Sequence, residues 1–503
     1  MIEPDFETFE RRYNAGEPQV VWTRMVADLE TPVSAMLKIA DGKPNSFLLE
    51  SVEGGDTRGR YSIIGLKPDV IWRCMGDKAE INRNARHDAK SFVAETGGAL
   101  ASLRALIETS RITLPEGLPP MAAGVFGYMG YDTVRLVEHL PNINGGGLGL
   151  PDGIFLRPTI IAIFDSVKDE VTIVTPVRAE SGTNARAAYA RASERLNDVV
   201  SDFDRSLPHV EQVDSIADMP APVSNTPPDT YYDMVRKAKE YIKAGDIFQV
   251  VLSQRFEAPF ALPPFSLYRA LRRINPSPFL YFLNFEDFAI VGSSPEILVR
   301  VRNNRVTIRP IAGTRHRGAT ATEDAAIGEE LLADPKERAE HLMLLDLGRN
   351  DVGRVSKIGS VEVTEQFALQ LTSHLIHIVS NVEGNLDPSY DAIEALIAGF
   401  PAGTVSGAPK VRAMEIIDEL ELEKRGSYAG CVGYFSAAGE MDTCIILRTA
   451  VVKDGKMFVQ AGGGVVADSS PEGEHTESVN KAKALFRAAE EAVRYAARGG
   501  RRQ

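Results

Sequence analysis

The sequence predicts an α+β fold of antiparallel strands interrupted by helices, and three observations carry that reading. Short runs rich in β-branched and aromatic residues recur between turn residues, as at 159–165 and 171–177. Between them lie amphipathic or charge-alternating stretches with recognisable helix starts and stops. A proline-rich connection then separates a first series of such elements from a second.

In order, residues 1–30 mix charges with aromatic groups and read as a helix, then a strand containing Val20, Val21 and Trp22. The run FLLESVEG after Ser46 reads as a strand ending in a turn, and GRYSIIG (59–65) as another. AAGVFGYMGYD (122–132) is aromatic and punctuated by glycine, 159–165 and 171–177 form a strand pair, and 185–200 is a helix of alternating charge. Residues 205–229 hold five prolines and little apolar periodicity. They divide the chain into an N-terminal α+β region (1–204) and a catalytic region (230–503).

In the second region, 231–244 is an amphipathic helix stopped by Gly245, followed by a strand at 248–256. Strands recur at 279–285, 288–291, 297–301 and 305–308, the last two joined by Asn303 and Asn304, and again at 430–436, 445–452 and 457–461. Helices are expected over 335–347, 391–398, 410–420 and 474–497.

The chain has 503 residues, is 44% hydrophobic and 25% charged, and carries a net charge of −13 from 69 acidic and 56 basic residues. That is the composition of an ordinary globular protein, and the acidic balance argues against a nucleic-acid binder. The three cysteines, Cys74, Cys431 and Cys444, are too scattered for a disulfide framework or a zinc site, which fits a reducing compartment. The acidic N-terminus does not read as a signal peptide, and no apolar run approaches the ~20 residues a membrane span needs. A cytoplasmic protein without a membrane role is expected.

The chemistry concentrates in the second region. FPAGTVSGAPKVRAM (400–414) is too poor in bulky side chains to build core before Val411. It reads as a tight turn that brings backbone N–H groups, Thr404 and Ser406 to a ligand. Asp334-Pro335 starts a helix on which Glu337 and Glu340 share a face. Ser470-Pro471 repeats the signal, with Glu474 and Glu477 together and Lys481 one turn on. Such pairs are common on solvated helices. If instead the two faces converge, four carboxylates would repel strongly unless a dication sat among them, and magnesium, an oxygen-liganded ion that keeps waters, suits the place. AGGGVV (461–466) reads as a turn whose N–H groups can face an anion, or as a plain hairpin turn. Arg448, a polar break in ILRT, can clamp a carboxylate.

From about residue 231 to 497 the chain resembles the chorismate-utilising enzymes, and within them the family of anthranilate synthase large subunits. The likeness rests on VGSSPEILVR (291–300), RPIAGTRHRG (309–318), ERAEHLMLLDLGRNDVGRV (337–355) and SHLIHIVSNVEG (373–384). It continues through FPAGTVSGAPKVRAMEIIDELE (400–421), RGSYAGCVGYF (425–435) and QAGGGVVADSSPEGEHTESVNKAKAL (460–485). The first region resembles the same family less densely, through LLES and GRYS. The resemblance implies antiparallel sheets packed as a two-layer sandwich core with helices outside, and a magnesium-dependent reaction on chorismate. By position, Glu340 and Glu477 look like the direct magnesium ligands, with Glu337 and Glu474 orienting its waters. The metal would hold the ring carboxylate, together with backbone N–H groups of Gly462, Gly463 and Gly464 and with Lys481. Arg448 and Tyr428 would hold the enolpyruvyl carboxylate.

Glu296 fits the donor that protonates the departing C4 hydroxyl. Relatives that add water use a lysine where this chain has Gln249, which favours ammonia as nucleophile. Aminodeoxychorismate synthases resemble PIKGT where this chain has Ala312, so direct attack at C2 is expected. His377 and Thr404 match positions tied to pyruvate elimination and to the C4 hydroxyl; His374 reads as structural. Cys431 lies in a GxCxG string, but that string falls inside the family's YxGxVGY strand, so a separate glutamine amidotransferase subunit, hence a hetero-oligomer, is implied as the ammonia source. Glu50, Ser51, Ser62, Asn275, Pro276, Ser277, Pro278 and Phe279 match a pocket for L-tryptophan as feedback inhibitor, although NPSPF-Leu280 lacks the tyrosine and methionine of the family's NPSPYM. The rival readings are an aminodeoxychorismate or isochorismate synthase, or a non-catalytic regulator that binds chorismate or tryptophan.

Overall fold

The structure is a computed structural model that describes residues 1–53, 57–207, 219–372 and 375–497. Positions 208–218 of the proline-rich connection, and His374, lie outside the described residues.

Two antiparallel layers share two long strands, Thr57–Met75 and Gly153–Asp165, which pair along their lengths and pass through both. From the first half of Thr57–Met75, one layer runs through Ser46–Glu53, Phe279–Asn284, Phe288–Ser294, Thr449–Lys453, Lys456–Val465 and Gln249–Pro259. The other runs from the start of Gly153–Asp165 through Gly124–Met129, Cys431–Ser436, Met441–Ile445, Ile297–Arg302, Arg305–Ile308 and Leu375–Asn385. Each region of the chain therefore supplies strands to both layers. The pairings of Ser46–Glu53 with Phe279–Asn284 and of Gly124–Met129 with Cys431–Ser436 join them by backbone hydrogen bonds.

Alternation along the strands explains the layering. Phe47, Tyr281, Ile290 and Val451 of one layer meet Phe126, Tyr128, Val432 and Tyr434 of the other in a core between the sheets. Each such side chain, fully buried, contributes about 1.5–3 kcal/mol. The outer face of the first layer is covered by helices Pro264–Ile274 and Pro471–Ala497, through Leu267, Leu271, Leu485 and Phe486. The outer face of the second carries Pro335–Gly353 and Ala392–Gly399, through Leu345, Val352, Ile393 and Leu396, while Pro228–Ala244 and Lys410–Leu420 pack against Gln249–Pro259. This is the α+β sandwich that the resemblance implied. Among the described residues, no helix is long and apolar enough to cross a membrane.

Two local expectations change. GRYSIIG does not stop at residue 65: its strand continues to Met75, with a register shift between Pro68 and Val70 accommodating the Lys67-Pro68 break. The triple glycine is no turn. The strand Lys456–Val465 runs through it, with Gly462, Gly463 and Gly464 opposite Ser253, Leu252 and Val251.

Candidate active site

Glycine is needed in that strand because side chains occupy the space where its Cβ atoms would project. A Cβ on Gly463 would collide with the Glu474 carboxylate, and one on Gly464 with the Gln249 amide. The glycines thus let a helix carboxylate and a neighbouring-strand amide lie directly on the backbone. Lys481 Nζ donates to Gly462 O at 2.9 Å and pairs with Glu477 at 2.7 Å. The Gly462 carbonyl therefore points off the ladder, and in an antiparallel strand its N–H faces the same open edge.

The four glutamates come together on this edge. Helix Pro335–Gly353 begins on an Asp334 cap whose carboxylate accepts from the N–H groups of Lys336 and Glu337, and Glu340 follows one turn later. Burial, then the charges of Glu337 and Glu477, push the Glu340 carboxyl above its usual range. Burial does the same to Glu474, with Glu477 and Glu340 adding to it. The geometry agrees: Glu474 lies on Gly463, and Gln249, which lies on Gly464, donates to Glu340, so both helix faces reach neighbouring glycines of one strand. Glu337 is already engaged: Arg315 Nη1 lies 2.7 Å from it, and Arg315 also holds Asp334 at 2.9 Å.

Among the described residues no three His, Cys, Asp or Glu side chains close into a ready-made metal cage. The donor set nevertheless fits a hard cation that keeps some waters. The donors at hand are carboxylates: Glu337 and Glu477 are paired with Arg315 and Lys481, Glu340 and Glu474 have no ion pair among the described residues, and Glu474 Oε2 is buried without a hydrogen-bond partner. Gln249 Nε2 donates to Glu340 Oε1 at 3.1 Å, while Gln249 Oε1 is buried and unpartnered.

Across the site stands Glu296, 5% exposed, with the Thr404 hydroxyl 3.2 Å from both of its carboxyl oxygens. Burial raises its pKa to about 8, so it holds its proton at neutral pH. His377 is pushed down to about 4 by burial and by the Arg448 charge, and its Nδ1 lies 3.0 Å from the Thr314 hydroxyl. It is a neutral imidazole. Arg448 occupies a left-handed backbone conformation (φ 48°) at the end of the strand pair, strain of the kind found at functional positions. Among the described residues its guanidinium has no hydrogen bond or ion pair. Burial lowers its pKa, while Tyr428 and Glu477 act to raise it. A desolvated, unpaired arginine beside a tyrosine has the chemistry to receive an anion.

Cys431 is buried, its thiol pushed up to about 12, inside a strand paired on both sides. It is no nucleophile. The residues expected to form a regulatory pocket divide between two cavities. Glu50, Ser51 and Phe279 line one of about 340 Å³ together with Arg300, Arg302, Asp442 and Cys444. Glu50, Ser51, Ser62 and Pro276 line another of about 360 Å³, in which Arg272 grips the Glu50 carboxylate at 2.7 and 2.9 Å and the Tyr268 hydroxyl donates to it. Neither cavity includes Asn275, Ser277 or Pro278; the Asn275 carbonyl instead accepts from the Ser293 hydroxyl at 2.5 Å.

Sequence reasoning passed over Arg315 and the Arg300–Asp442 pair (3.0 Å). Their only signal is alternation, arginine at every second place in VRVR (299–302) and in RHR (315–317), which a solvated strand face produces equally well.

The model of a family described as chorismate binding enzyme matches residues 47–487. The chain belongs to that family. Within it the likeness is to component 1 of anthranilate synthase. The chain is 59% identical to that protein from Cereibacter sphaeroides over 98% of its own length and 99% of the relative's. The crystal structure of anthranilate synthase component I from Streptococcus pneumoniae superposes with a TM-score of 0.73 at 37% identity, covering 85% of this chain and 92% of that one. MenF, the menaquinone-specific isochorismate synthase of Escherichia coli, shares the fold (TM-score 0.71, 18% identity, 96% and 98% covered).

Proposed function

We propose that this chain is the chorismate-converting subunit of an anthranilate synthase: it aminates chorismate at C2 with ammonia, expels the C4 hydroxyl, and eliminates pyruvate to leave anthranilate, the entry into tryptophan biosynthesis. Full-length likeness to component 1 proteins supports the reaction class. The observation that carries the choice of nucleophile is Gln249: its amide is spent on Glu340, and no base stands there to activate water. Its free carbonyl oxygen can accept an N–H from ammonia, which attacks unaided.

Arg448 and Tyr428 hold the enolpyruvyl carboxylate, and Lys481 with the N–H groups on the open edge of Gly462–Gly464 holds the ring carboxylate. Glu340 and Glu477, with Glu337 and Glu474 behind them, would hold magnesium, which would supply Lewis-acid charge stabilisation. Glu296 delivers its proton to the leaving hydroxyl oxygen, and Thr404 orients that carboxyl. Neutral His377 then accepts a proton during pyruvate loss. Ammonia comes from a glutamine amidotransferase subunit, so the working enzyme is a hetero-oligomer. The three unpaired, buried cysteines favour the cytoplasm.

The test is product identity. Purified chain with chorismate, magnesium and ammonium should give anthranilate, read by fluorescence and mass, and nothing with glutamine until the partner is added. Isochorismate or a 4-amino product would refute the reading, and chorismate binding without turnover would leave a regulator. His377→Met should accumulate an amino compound that retains its pyruvyl group, seen by mass; anthranilate at the normal rate would remove His377 from the second step.

The cavity of about 340 Å³ is the proposed tryptophan site, its mixed Arg300, Arg302 and Asp442 charges suited to a zwitterion. Saturating L-tryptophan, at ~100 times Kd, should stabilise the chain by about 2.7 kcal/mol. Ser51→Phe fills the cavity with a ring, and should abolish both that thermal shift and inhibition while kcat is retained.

A further inference from the structure

Arg425 and Glu421 form an ion pair with side chains 1% and 3% exposed. None of the roles proposed above uses either residue. Removing two charges from water is costly unless every polar group finds a partner, so a pair this deep is weak evidence for stability by itself. Here the guanidinium is shared out with unusual economy. Its Nε and Nη2 reach the Glu421 oxygens at 3.0 and 2.6 Å, Nη1 reaches Val405 O at 2.7 Å, and Nη2 also reaches Val251 O at 2.6 Å. Glu421 Oε1 in turn accepts from the Ser253 N–H and hydroxyl, both at 2.8 Å.

The two carbonyls belong to the two walls of the site. Val405 follows Thr404 in the short helical turn Gly403–Val405, and Val251 lies two residues beyond Gln249 in Gln249–Pro259. Around the same junction the Val251 N–H donates to Ser406 O at 2.8 Å and the Phe248 N–H to Ala408 O at 2.8 Å. Only a planar cation with several N–H groups can bridge both carbonyls and still satisfy Glu421. Its Cζ lies over the Tyr131 ring, 4.7 Å from the centroid, and over the Tyr428 ring, 5.4 Å from the centroid, so two aromatic faces help to hold the cation in place.

The geometry points to Arg425, braced by Glu421, as a positioning residue of this reaction: it ties the Thr404 turn to the Gln249 strand and so sets the Thr404 hydroxyl on the Glu296 carboxyl. This rests on the function proposed above. Lysine at 425 keeps the charge opposite Glu421 but cannot span two carbonyls.

Arg425→Lys should therefore lower kcat for chorismate about 30-fold while KM changes less than about threefold, the pattern of an interaction felt in the transition state. In a Thr404→Ala background the same change should cost less than about twofold further, because the group it positions is gone. Should Arg425→Lys not fold, Glu421→Gln, which retains an oxygen for Ser253, takes its place, with a kcat loss of about tenfold that likewise disappears in Thr404→Ala. A loss that multiplies fully with Thr404→Ala, or one that falls on KM alone, overturns the positioning role. A wild-type chain that leaves chorismate unconsumed overturns the function and this role together.

Discussion

Glu296→Gln is expected to reduce kcat by about 10²–10⁴-fold, the range a positioned general acid supplies, with the fold and chorismate KM nearly unchanged. Glutamine fills the same buried space and still meets the Thr404 hydroxyl, so packing is preserved and only the proton is lost. The pH profile separates this from a packing effect. Because the carboxyl of the free enzyme titrates at about 8, wild-type kcat/KM should hold through neutrality and fall as pH rises past that value. The glutamine variant should show no such alkaline limb. Stability follows the same sign. The folded pKa is raised from 4.5 to about 8, so the native state keeps its proton longer. That contribution is whole below pH 4.5 and is lost as pH climbs through about 8. At pH 9 the variant should therefore have gained melting temperature relative to wild type. An unchanged alkaline limb in the variant would take Glu296 out of the proton-donor role.

Glu340→Gln is expected to abolish magnesium-dependent turnover, by at least about 10³-fold in kcat/KM at limiting magnesium, since Lewis-acid stabilisation worth several kcal/mol is forfeited. The metal-free protein should behave in the opposite sense. Glu340 is held above the ordinary carboxylate range by burial and by Glu337 and Glu477, so a neutral amide relieves repulsion. The apo variant should melt at or above the wild-type temperature. Magnesium should raise the melting temperature of wild type and leave the variant unmoved, a readout independent of catalysis. A variant that still turns over normally at limiting magnesium would break the assignment of the glutamate cluster.

Much of the site was legible because its chemistry is written in local signals. The Asp334-Pro335 and Ser470-Pro471 helix starts placed two glutamate pairs correctly on helix faces. The helix over Lys410–Leu420 has the bounds expected. What misled was glycine. Three in succession read as a turn, since glycine weakens strands. The strand persists because Gln249–Pro259 pairs with it throughout, and because the Glu474 and Gln249 side chains fill the space a Cβ would need. The regulatory set was legible as a list of residues but not as a place: Glu50, committed to Arg272 and Tyr268, and Ser51 line both cavities, whereas Ser62 and Pro276 line one and Phe279 the other. What distinguishes the two cavities is the side chains that distant segments bring to each, Arg272 to one and Arg300 with Asp442 to the other, and no motif states that.

By itself the sequence determined the fold class, the family and the residue types of the chemistry, since periodicity, caps and motif order are local properties of the chain. Only the tertiary structure decided that Glu340 and Glu474 repel one another, that Glu296 keeps its proton, and that Arg425 bridges two walls. Each of these depends on burial and on charges brought together from distant segments, and a proton's free energy is set by what surrounds it in space rather than by its neighbours in the chain.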